Sequence, residues 1–251
     1  MNTISLKKDN KVLMIAHRGV SGLEPENTIP AFVAAGNRSY YGVESDVHVT
    51  GDGKFVMIHD ENTGRVAGDD ICVETSPFDL VRKINLYDIC KSERDAKIAA
   101  SEKGKRADLI IPSLTEYVNV CKKYDKKCVL ELKNRFERHQ VADLVEEIKG
   151  LDYLDNIIFI SFCLENLVIL RELLPEHTLQ FLTWDAGEEV IEKLDQYNLD
   201  LDVYYKGLTQ ASLQEVHARG HKVNVWTCDK VEDAEMLIEW GVDFITTNIL
   251  E

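Results

Sequence analysis

Short apolar runs alternate with amphipathic segments over most of the 251 residues of this chain. A short apolar run bounded by turn residues predicts a buried strand, whereas apolar residues recurring every three or four positions predict a helix. The predicted strands are residues 12–16, 42–49, 54–58, 128–132, 157–161, 179–182, 201–205, 222–226 and 243–246. The predicted helices are residues 28–38, 113–124, 136–149, 164–174, 188–198, 209–219 and 231–240. Strands that alternate with helices indicate an α/β fold with a parallel sheet.

The third predicted strand is joined to the second by only a short turn. That turn contains Asp52-Gly53 between alternating apolar residues, a pattern typical of a β-hairpin. A hairpin arm runs antiparallel to its partner, so eight strands and seven helices remain for the main sheet. Eight strands in about 250 residues predict a (β/α)₈ TIM barrel. A doubly wound open sheet is the alternative, but no glycine-rich phosphate loop follows the first predicted strand.

The hairpin loop determines which side chains share a face of the ribbon. If Asp52 and Gly53 form a two-residue loop, Asp46 lies directly opposite His59. Because strand side chains alternate between faces, Glu44, Asp46 and His59 would then point the same way. A register slip of one residue would turn His59 away. For the hairpin alone, a surface ribbon with exposed charges is the alternative.

Residues 60–112 interrupt the alternation, since they contain no clear strand and many charged residues. A structureless loop of that length is uncommon inside a compact domain, so we expect a small insertion after the hairpin, at the catalytic end of the barrel. It would serve either as a lid or substrate wall or as an inert decoration. The whole chain, residues 1–251, is predicted to form one domain.

The net charge, the cysteines and the hydrophobicity of the chain indicate its partners and its location. The formal net charge is 29 − 44 = −15, which argues against nucleic acid or an anionic membrane as the main partner. The six cysteines show no CxxC pair and no zinc spacing, so we expect reduced thiols. The first ten residues lack the apolar run of a signal peptide, and no stretch approaches the roughly 20 apolar residues of a membrane span. These features predict a cytoplasmic protein without a transmembrane segment.

Charged side chains recur where the predicted strands end, and TIM-barrel active sites lie at the carboxyl ends of the strands. These residues are His17 and Arg18 after the first strand, Glu44 and Asp46 in the second, and Glu131 and Lys133 around the end of the strand at 128–132. The three carboxylates are hard oxygen ligands suited to Ca²⁺ or Mg²⁺, and a cation would relieve their mutual repulsion. The two basic side chains suit a phosphate.

Two histidines complete the set. His17 and His59 can divide the acid and base roles near neutral pH. Ligands for a cation, basic side chains for a phosphate and an acid/base pair together indicate metal-assisted cleavage of a phosphoester.

Several sequence blocks resemble one enzyme family. They are Ile15-Ala16-His17-Arg18-Gly19, Pro25-Glu26-Asn27-Thr28, Val43-Glu44-Ser45-Asp46-Val47, Met57-Ile58-His59-Asp60, Leu130-Glu131-Leu132-Lys133, Val225-Trp226-Thr227 and Gly241-Val242-Asp243-Phe244-Ile245-Thr246-Thr247. In this order and over nearly the whole chain, they resemble the glycerophosphodiester phosphodiesterases of the phospholipase C-like phosphodiesterase superfamily. That family is a TIM barrel with a small insertion at this place.

The resemblance implies a role for each candidate residue. It implies metal binding by Glu44, Asp46 and Glu131, acid/base catalysis by His17 and His59, and substrate binding by Arg18, Lys133 and Trp226, the last packing on glycerol. The implied cofactor is Ca²⁺ or Mg²⁺, with Mn²⁺ as a further candidate. The implied reaction is hydrolysis of a small glycerophosphodiester to an alcohol and glycerol 3-phosphate. The suggested attacking group is the substrate's own neighbouring hydroxyl, and which histidine is the base stays open.

The chain departs from the family pattern at two positions. No proline follows Thr247-Asn248, and Ser45 replaces a more usual apolar residue between the two acids, on the face away from the metal. We expect neither departure to touch a proposed ligand.

Two other functions stay open. A related phosphodiesterase could act on lysophospholipids or other phosphodiesters, although a lipid needs an apolar patch near the mouth and residues 60–112 carry only scattered apolar side chains. A non-catalytic phosphate-ligand binder would not need an acid/base pair. The sequence leaves homodimer formation open.

Overall fold

A computed structural model describes residues 2–6, 11–91 and 106–251. The strands are β1 (Leu13–Ala16), β2 (Gly42–Val49), β3 (Phe55–Met57), β4 (Lys127–Leu132), β5 (Ile157–Ser161), β6 (Leu179–Thr183), β7 (Asp200–Tyr204), β8 (Val223–Trp226) and β9 (Phe244–Thr247). The helices are α1 (Ile29–Gly36), α2 (Phe78–Val81), α3 (Leu114–Lys123), α4 (Arg138–Gly150), α5 (Leu164–Leu173), α6 (Glu188–Tyr197), α7 (Gln210–Ala218) and α8 (Val231–Trp240). The predicted strands and helices are confirmed, apart from small shifts at their ends.

The sheet closes on itself, because β1 pairs in parallel with both β2 and β9. Around the barrel the strands follow the order β1, β9, β8, β7, β6, β5, β4, β2, and β3 adds antiparallel to β2 outside this ring. The predicted (β/α)₈ TIM barrel is therefore confirmed, and an open doubly wound sheet is excluded. Helices α1 and α3 to α8 follow the ring strands, as the alternation predicts.

The barrel interior is apolar in one cluster and polar near the carboxyl ends of the strands. The apolar cluster consists of Ile15, Val129, Ile158, Ile160, Leu182 and Phe244. A second, larger cluster lies between the strands and the outer helices, as expected for strands buried on both faces. The polar carboxyl ends therefore lie against tightly packed apolar layers, which gives charged side chains there a rigid, poorly hydrated setting.

The hairpin forms, but its predicted register is wrong. β2 and β3 pair Val47 with Met57, and the Ile58 amide donates to the Asp46 carbonyl oxygen at 3.0 Å. Asp46 thus lies opposite Ile58, because the loop has three residues (51–53) and Gly53 adopts a φ of 77°. Three-residue hairpin loops commonly end in such a left-handed residue.

The insertion has a small apolar core of its own. Val56 and Ile58 of the hairpin pack there with side chains from the insertion: Val66, Ala67, Val73, Val81, Ile84, Leu86, Leu109 and Ile111. Within the described part of the insertion, α2 is accompanied by a short 3₁₀ turn at Thr63–Arg65. Residues 92–105 of the predicted insertion lie outside the described residues. Among the described residues, no helix combines the length and apolar character that a membrane span requires.

The loop after β1 approaches α1 very closely at Gly19. Gly19 has a φ of 76°, and a Cβ added there would lie 2.6 Å from the Ala31 carbonyl carbon. Gly53 has almost the same φ of 77°, but a Cβ there would meet no atom within 4 Å. The two glycines therefore differ in contact and share the backbone conformation.

We predict that Gly19→Ala lowers the free energy of unfolding by about 2–4 kcal/mol, because it adds a backbone clash to the left-handed strain. Gly53→Ala is the matched control and should cost only about 1 kcal/mol. Urea denaturation of both variants measures the difference. Equal losses would show that the approach to Ala31 is not a tight constraint.

Candidate active site

The structure brings the sequence-predicted residues together at the carboxyl ends of the strands. One cavity of about 60 Å³ is lined by His17, Arg18, Glu44, His59, Glu131, Lys133, Ile160, Phe162, Leu182, Asp202, Trp226 and Thr246. Seven of the eight predicted residues are in this lining. The eighth, Asp46, is fully buried beside it and contacts two of the lining cations. His59 lines the cavity despite the changed register, because β3 ends at Met57 and the chain leaves the ribbon before His59.

Three buried carboxylates form the acidic centre of the site. Glu44, Asp46 and Glu131 each offer an oxygen atom within 4.8 Å of the others. Asp46 and Glu131 occupy directly paired positions on β2 and β4, and Glu44 lies two residues before Asp46 on the same face. Among the described residues, Asp46 Oδ1 makes no hydrogen bond. A hard-oxygen set in which one buried oxygen accepts no hydrogen bond fits a divalent cation.

The three carboxyls have divergent proton affinities. Burial, and then the negative charge of Asp46, raises the pKa of Glu44 well above its usual value and raises the pKa of Glu131 to about 7. Burial also opposes ionisation of Asp46, but the positive charge of Arg18, followed by Lys133, holds the pKa of Asp46 well below its usual range. Asp46 is therefore the fixed anion, and the other two carboxyls ionise more readily when positive charge is added nearby.

Two cationic side chains bridge the acids. Arg18 Nη1 donates to Glu26 Oε1 at 2.8 Å, and Arg18 Nε lies 3.3 Å from Asp46 Oδ2. Lys133 Nζ donates to Glu131 Oε1 at 2.7 Å and lies 3.4 Å from Asp46 Oδ1. These ion pairs hold both cations at the cavity wall, where they can meet a phosphate.

His17 is oriented by a chain of hydrogen bonds from the segment after β9. Asn248 Nδ2 donates to Asp229 Oδ2 at 2.5 Å, which leaves Asn248 Oδ1 to accept from His17 Nδ1 at 2.8 Å. The proton of neutral His17 therefore sits on Nδ1, and Nε2 carries the free lone pair. Burial, and then the charge of Arg18, lowers the pKa of His17 to about 4. Sequence analysis did not single out Asn248 as a site residue.

His59 is oriented instead by the insertion. Its Nδ1 contacts Asp60 Oδ1 at 2.5 Å, and Asp60 in turn is paired with Arg65. Although burial opposes it, the hydrogen bonds from His59 and Arg65 lower the pKa of Asp60. Asp60 therefore accepts the proton on Nδ1 and holds the His59 ring in one orientation. Arg65 also donates twice to Glu26, at 2.8 and 3.0 Å, so Glu26 is shared by Arg18 and Arg65.

Two further supports were missed from sequence. His48 is buried, and it contacts the His59 carbonyl oxygen at 3.2 Å and Glu74 at 2.9 Å. Ser45 also reaches the site, because its hydroxyl donates to Asn27, whose amide donates to Asp46 Oδ2 at 2.8 Å. The period of two puts Ser45 on the opposite face, and only the position of Asn27 links it back.

Four aromatic side chains form a rim at the mouth of the barrel. This aromatic rim consists of Phe162, Trp184, Tyr204 and Trp226, from the ends of β5 to β8. The ring centroids of Trp184 and Trp226 are 5.0 Å apart, and those of Phe162 and Trp184 are 5.8 Å apart. Phe162 and Trp226 line the cavity, whereas Trp184 is 63% exposed. Of these four aromatic residues, only Trp226 was predicted from the sequence to bind substrate.

Asp202 is a fourth acid in the cavity wall that sequence analysis did not single out. It lies in β7, it is 2% exposed, and its Oδ1 has no hydrogen bond to any described residue. The available signal was an aspartate at the centre of the apolar strand Leu201–Val203, a position that normally carries an apolar residue.

Comparison with known proteins gives a consistent result over almost the whole chain. Residues 17–251 match the glycerophosphoryl diester phosphodiesterase family. A glycerophosphodiester phosphodiesterase of Caldanaerobacter subterraneus is 30% identical over 95% of this chain and 94% of that protein. One from Bacillus subtilis is 26% identical over 97% of this chain and 86% of that protein. A solved Oleispira antarctica phosphodiesterase, in complex with the product sn-glycerol-3-phosphate, has a TM-score of 0.81 at 25% identity and covers 94% of this chain and 92% of its own.

We predict that cation affinity falls as the pH is lowered through about 7. The pKa of Glu131 is raised to about 7, and a protonated carboxyl cannot act as a ligand, so its titration alone should lower the affinity about fivefold from pH 7 to pH 6. Calorimetric titration of the metal-free protein with Ca²⁺, Mg²⁺ or Mn²⁺ at pH 6, 7 and 8 measures this. Glu131→Gln should bind more weakly and with a shallower pH dependence. Affinity that does not change over this range would contradict the role of Glu131 as a ligand.

Proposed function

This chain belongs to the glycerophosphoryl diester phosphodiesterase family and is a phosphodiesterase, and we propose that it hydrolyses glycerophosphodiesters to an alcohol and glycerol 3-phosphate. One observation carries the proposal: three buried carboxylates, two cations and two oriented histidines meet in one cavity. The related Oleispira antarctica enzyme was solved with sn-glycerol-3-phosphate as its product, which supports the choice of substrate.

We infer that Glu44, Asp46 and Glu131 hold a divalent cation, Ca²⁺ or Mg²⁺ with Mn²⁺ as a further candidate. The Asp46 oxygen that accepts no hydrogen bond and the all-carboxylate donor set support this assignment. When bound, the cation supplies positive charge to a phosphate oxygen and fixes its orientation. It also favours the ionised forms of the two carboxyls whose pKa values burial raises.

The two bridging cations bind the phosphate in this proposal. Arg18 and Lys133 lie on either side of Asp46 and are both largely buried. Donors fixed in this way stabilise charge that develops on the phosphate oxygens, and they do so at little cost in reorganisation. The low dielectric of the cavity strengthens this effect.

The hydrogen bonds favour His17 as the base and His59 as the acid. His17 has its Nδ1 proton held by Asn248, so its free Nε2 can accept a proton. His59 contacts Asp60 through Nδ1, which orients the ring and leaves Nε2 as the nitrogen that would give a proton. In the first step His17 takes the proton of the substrate hydroxyl next to the phosphate while this oxygen attacks phosphorus. His59 gives its proton to the departing alkoxide, and water then opens the cyclic phosphate with the two roles exchanged.

The testing experiment measures glycerol 3-phosphate release from glycerophosphocholine and glycerophosphoethanolamine. It is run with EDTA and then with Ca²⁺, Mg²⁺ or Mn²⁺ restored. We expect EDTA to stop release and one cation to restore it. His17→Asn and His59→Asn should each reduce turnover about 100-fold or more, because each removes one proton-transfer step. His139→Asn, at an exposed helical position, is the matched control. Folded protein that releases nothing with any cation would contradict the proposal.

A second substrate class, the lysophospholipids, is favoured by the aromatic rim. Trp226 and Phe162 continue from the cavity wall outward to the exposed Trp184. If glycerol packs on Trp226, an acyl chain on glycerol would extend over this surface. The apolar patch that a lipid requires therefore exists, although it lies on the strand ends of β5 to β8 and not in the insertion.

We predict that Trp184→Ala raises the KM for a lysophosphatidylcholine about tenfold through lost apolar contact. The KM for glycerophosphocholine should change little, since this substrate has no acyl chain. Leu80→Ala removes another exposed apolar side chain, in the insertion, and serves as the control. Absence of lysophosphatidylcholine turnover in the wild-type protein would exclude this second class.

A further inference from the structure

Asp202 is a buried acid without a cationic partner. It is 2% exposed, and no lysine, arginine or histidine of the described chain forms an ion pair with it. Asp202 also stands outside the acidic centre, whose oxygens lie within 4.8 Å of one another and belong to Glu44, Asp46 and Glu131. Its presence in the cavity wall therefore needs an explanation other than cation binding.

The neighbouring side chains hold the Asp202 carboxyl in place without satisfying it. Thr246 Oγ1 donates to Asn224 Oδ1 at 3.1 Å, and Asn224 in turn donates to Gln180 Oε1 at 3.3 Å and to the Asp202 carboxyl. Asp202 Oδ1 makes no hydrogen bond within the described parts of the chain. A buried oxygen without a hydrogen bond destabilises the protein by about 1–3 kcal/mol. A ligand group that enters the cavity and donates a hydrogen bond to this oxygen therefore binds more tightly.

The charge balance selects the kind of group that can pair with Asp202. Burial, and then the negative charge of Glu131, raises the pKa of Asp202 well above its usual value. A neutral carboxylic acid can both accept and donate a hydrogen bond, and a hydroxyl group offers both complements. A phosphate would be poorly matched here, because no cation of the described residues pairs with Asp202 and the negative charge of Glu131 already acts on it.

Trp226 adds an apolar surface next to this polar atom. Its indole Nε1 lies 3.3 Å from the Asp202 backbone carbonyl oxygen and donates to it, so the two residues are fixed relative to each other. An apolar face beside a hydrogen-bonding oxygen matches a polyol, which has C–H surface and hydroxyl groups on the same short chain.

We propose that Asp202 is a specificity-determining residue whose free oxygen hydrogen-bonds the terminal hydroxyl of the substrate's glycerol moiety. The inference rests on the proposed function, in which the other glycerol hydroxyl is directed to His17 for the attack on phosphorus. Asp202 thereby selects glycerol over shorter or deoxygenated alcohols.

The test compares two ligands that differ only in this hydroxyl. sn-Glycerol 3-phosphate carries it, and 2-hydroxypropyl phosphate lacks it. Calorimetry with the cation-loaded protein should show the wild type binding sn-glycerol 3-phosphate about 10- to 100-fold more tightly. Asp202→Ala should remove most of this ratio, whereas Asp202→Asn, which keeps a hydrogen-bonding group, should retain part of it.

The controls separate this role from a structural one. Asp200→Asn changes an acid on the same strand whose carboxyl accepts the Lys222 amide, and it should leave the ratio unchanged. A merely structural role for Asp202 would weaken both ligands equally and keep the ratio, which would overturn the proposal. Glycerophosphocholine turnover by the wild type tests the proposed function separately, since the binding ratio does not depend on catalysis.

Discussion

The buried negative charge of the acidic centre is the constraint on which the rest of the site depends. Three carboxyls offer oxygen atoms within 4.8 Å of one another at the end of an apolar barrel, where each unpaired charge is costly. Arg18 and Lys133 compensate part of that charge. The raised pKa values of Glu44 and Glu131 favour protonation of these two carboxyls, which removes further negative charge. The same imbalance makes the site receptive to a divalent cation, because a cation completes the compensation that the side chains begin.

The two histidines differ because different parts of the chain orient them. His17 faces an amide that is itself fixed by Asp229, so its ring is held in one neutral tautomer. His59 faces Asp60 of the insertion, which accepts from its Nδ1. In the proposed mechanism the segment after β9 therefore orients the base and the insertion orients the acid, although both residues are of the same type.

The fold and most of the site could be predicted from the sequence because both depend on short-range patterns. Apolar runs identified the nine strands of the described residues, and the period of two placed Glu44 and Asp46 on one face. The predicted hairpin register was wrong. The Lys54 amide donates a hydrogen bond to the Thr50 hydroxyl, which helps form a three-residue loop that Asp-Gly alone does not specify. His48, Asn248 and Asp202 were missed as site residues for a related reason. Their roles depend on partners from distant parts of the chain, and no local spacing encodes those contacts.

Glu26 links the insertion to the barrel, and this has a consequence for how such enzymes can diversify. The carboxylate of Glu26 pairs with Arg18 in the cavity and with Arg65 in the insertion. Loops at the mouth of a TIM barrel are usually regarded as modules that can be exchanged on a constant scaffold. Here a different insertion would need residues that replace Asp60, Arg65 and Glu74. Without them, the side chains of the barrel that these three residues contact would lose their orientation. We therefore expect substitutions in the insertion and at the strand ends to be coupled during evolution.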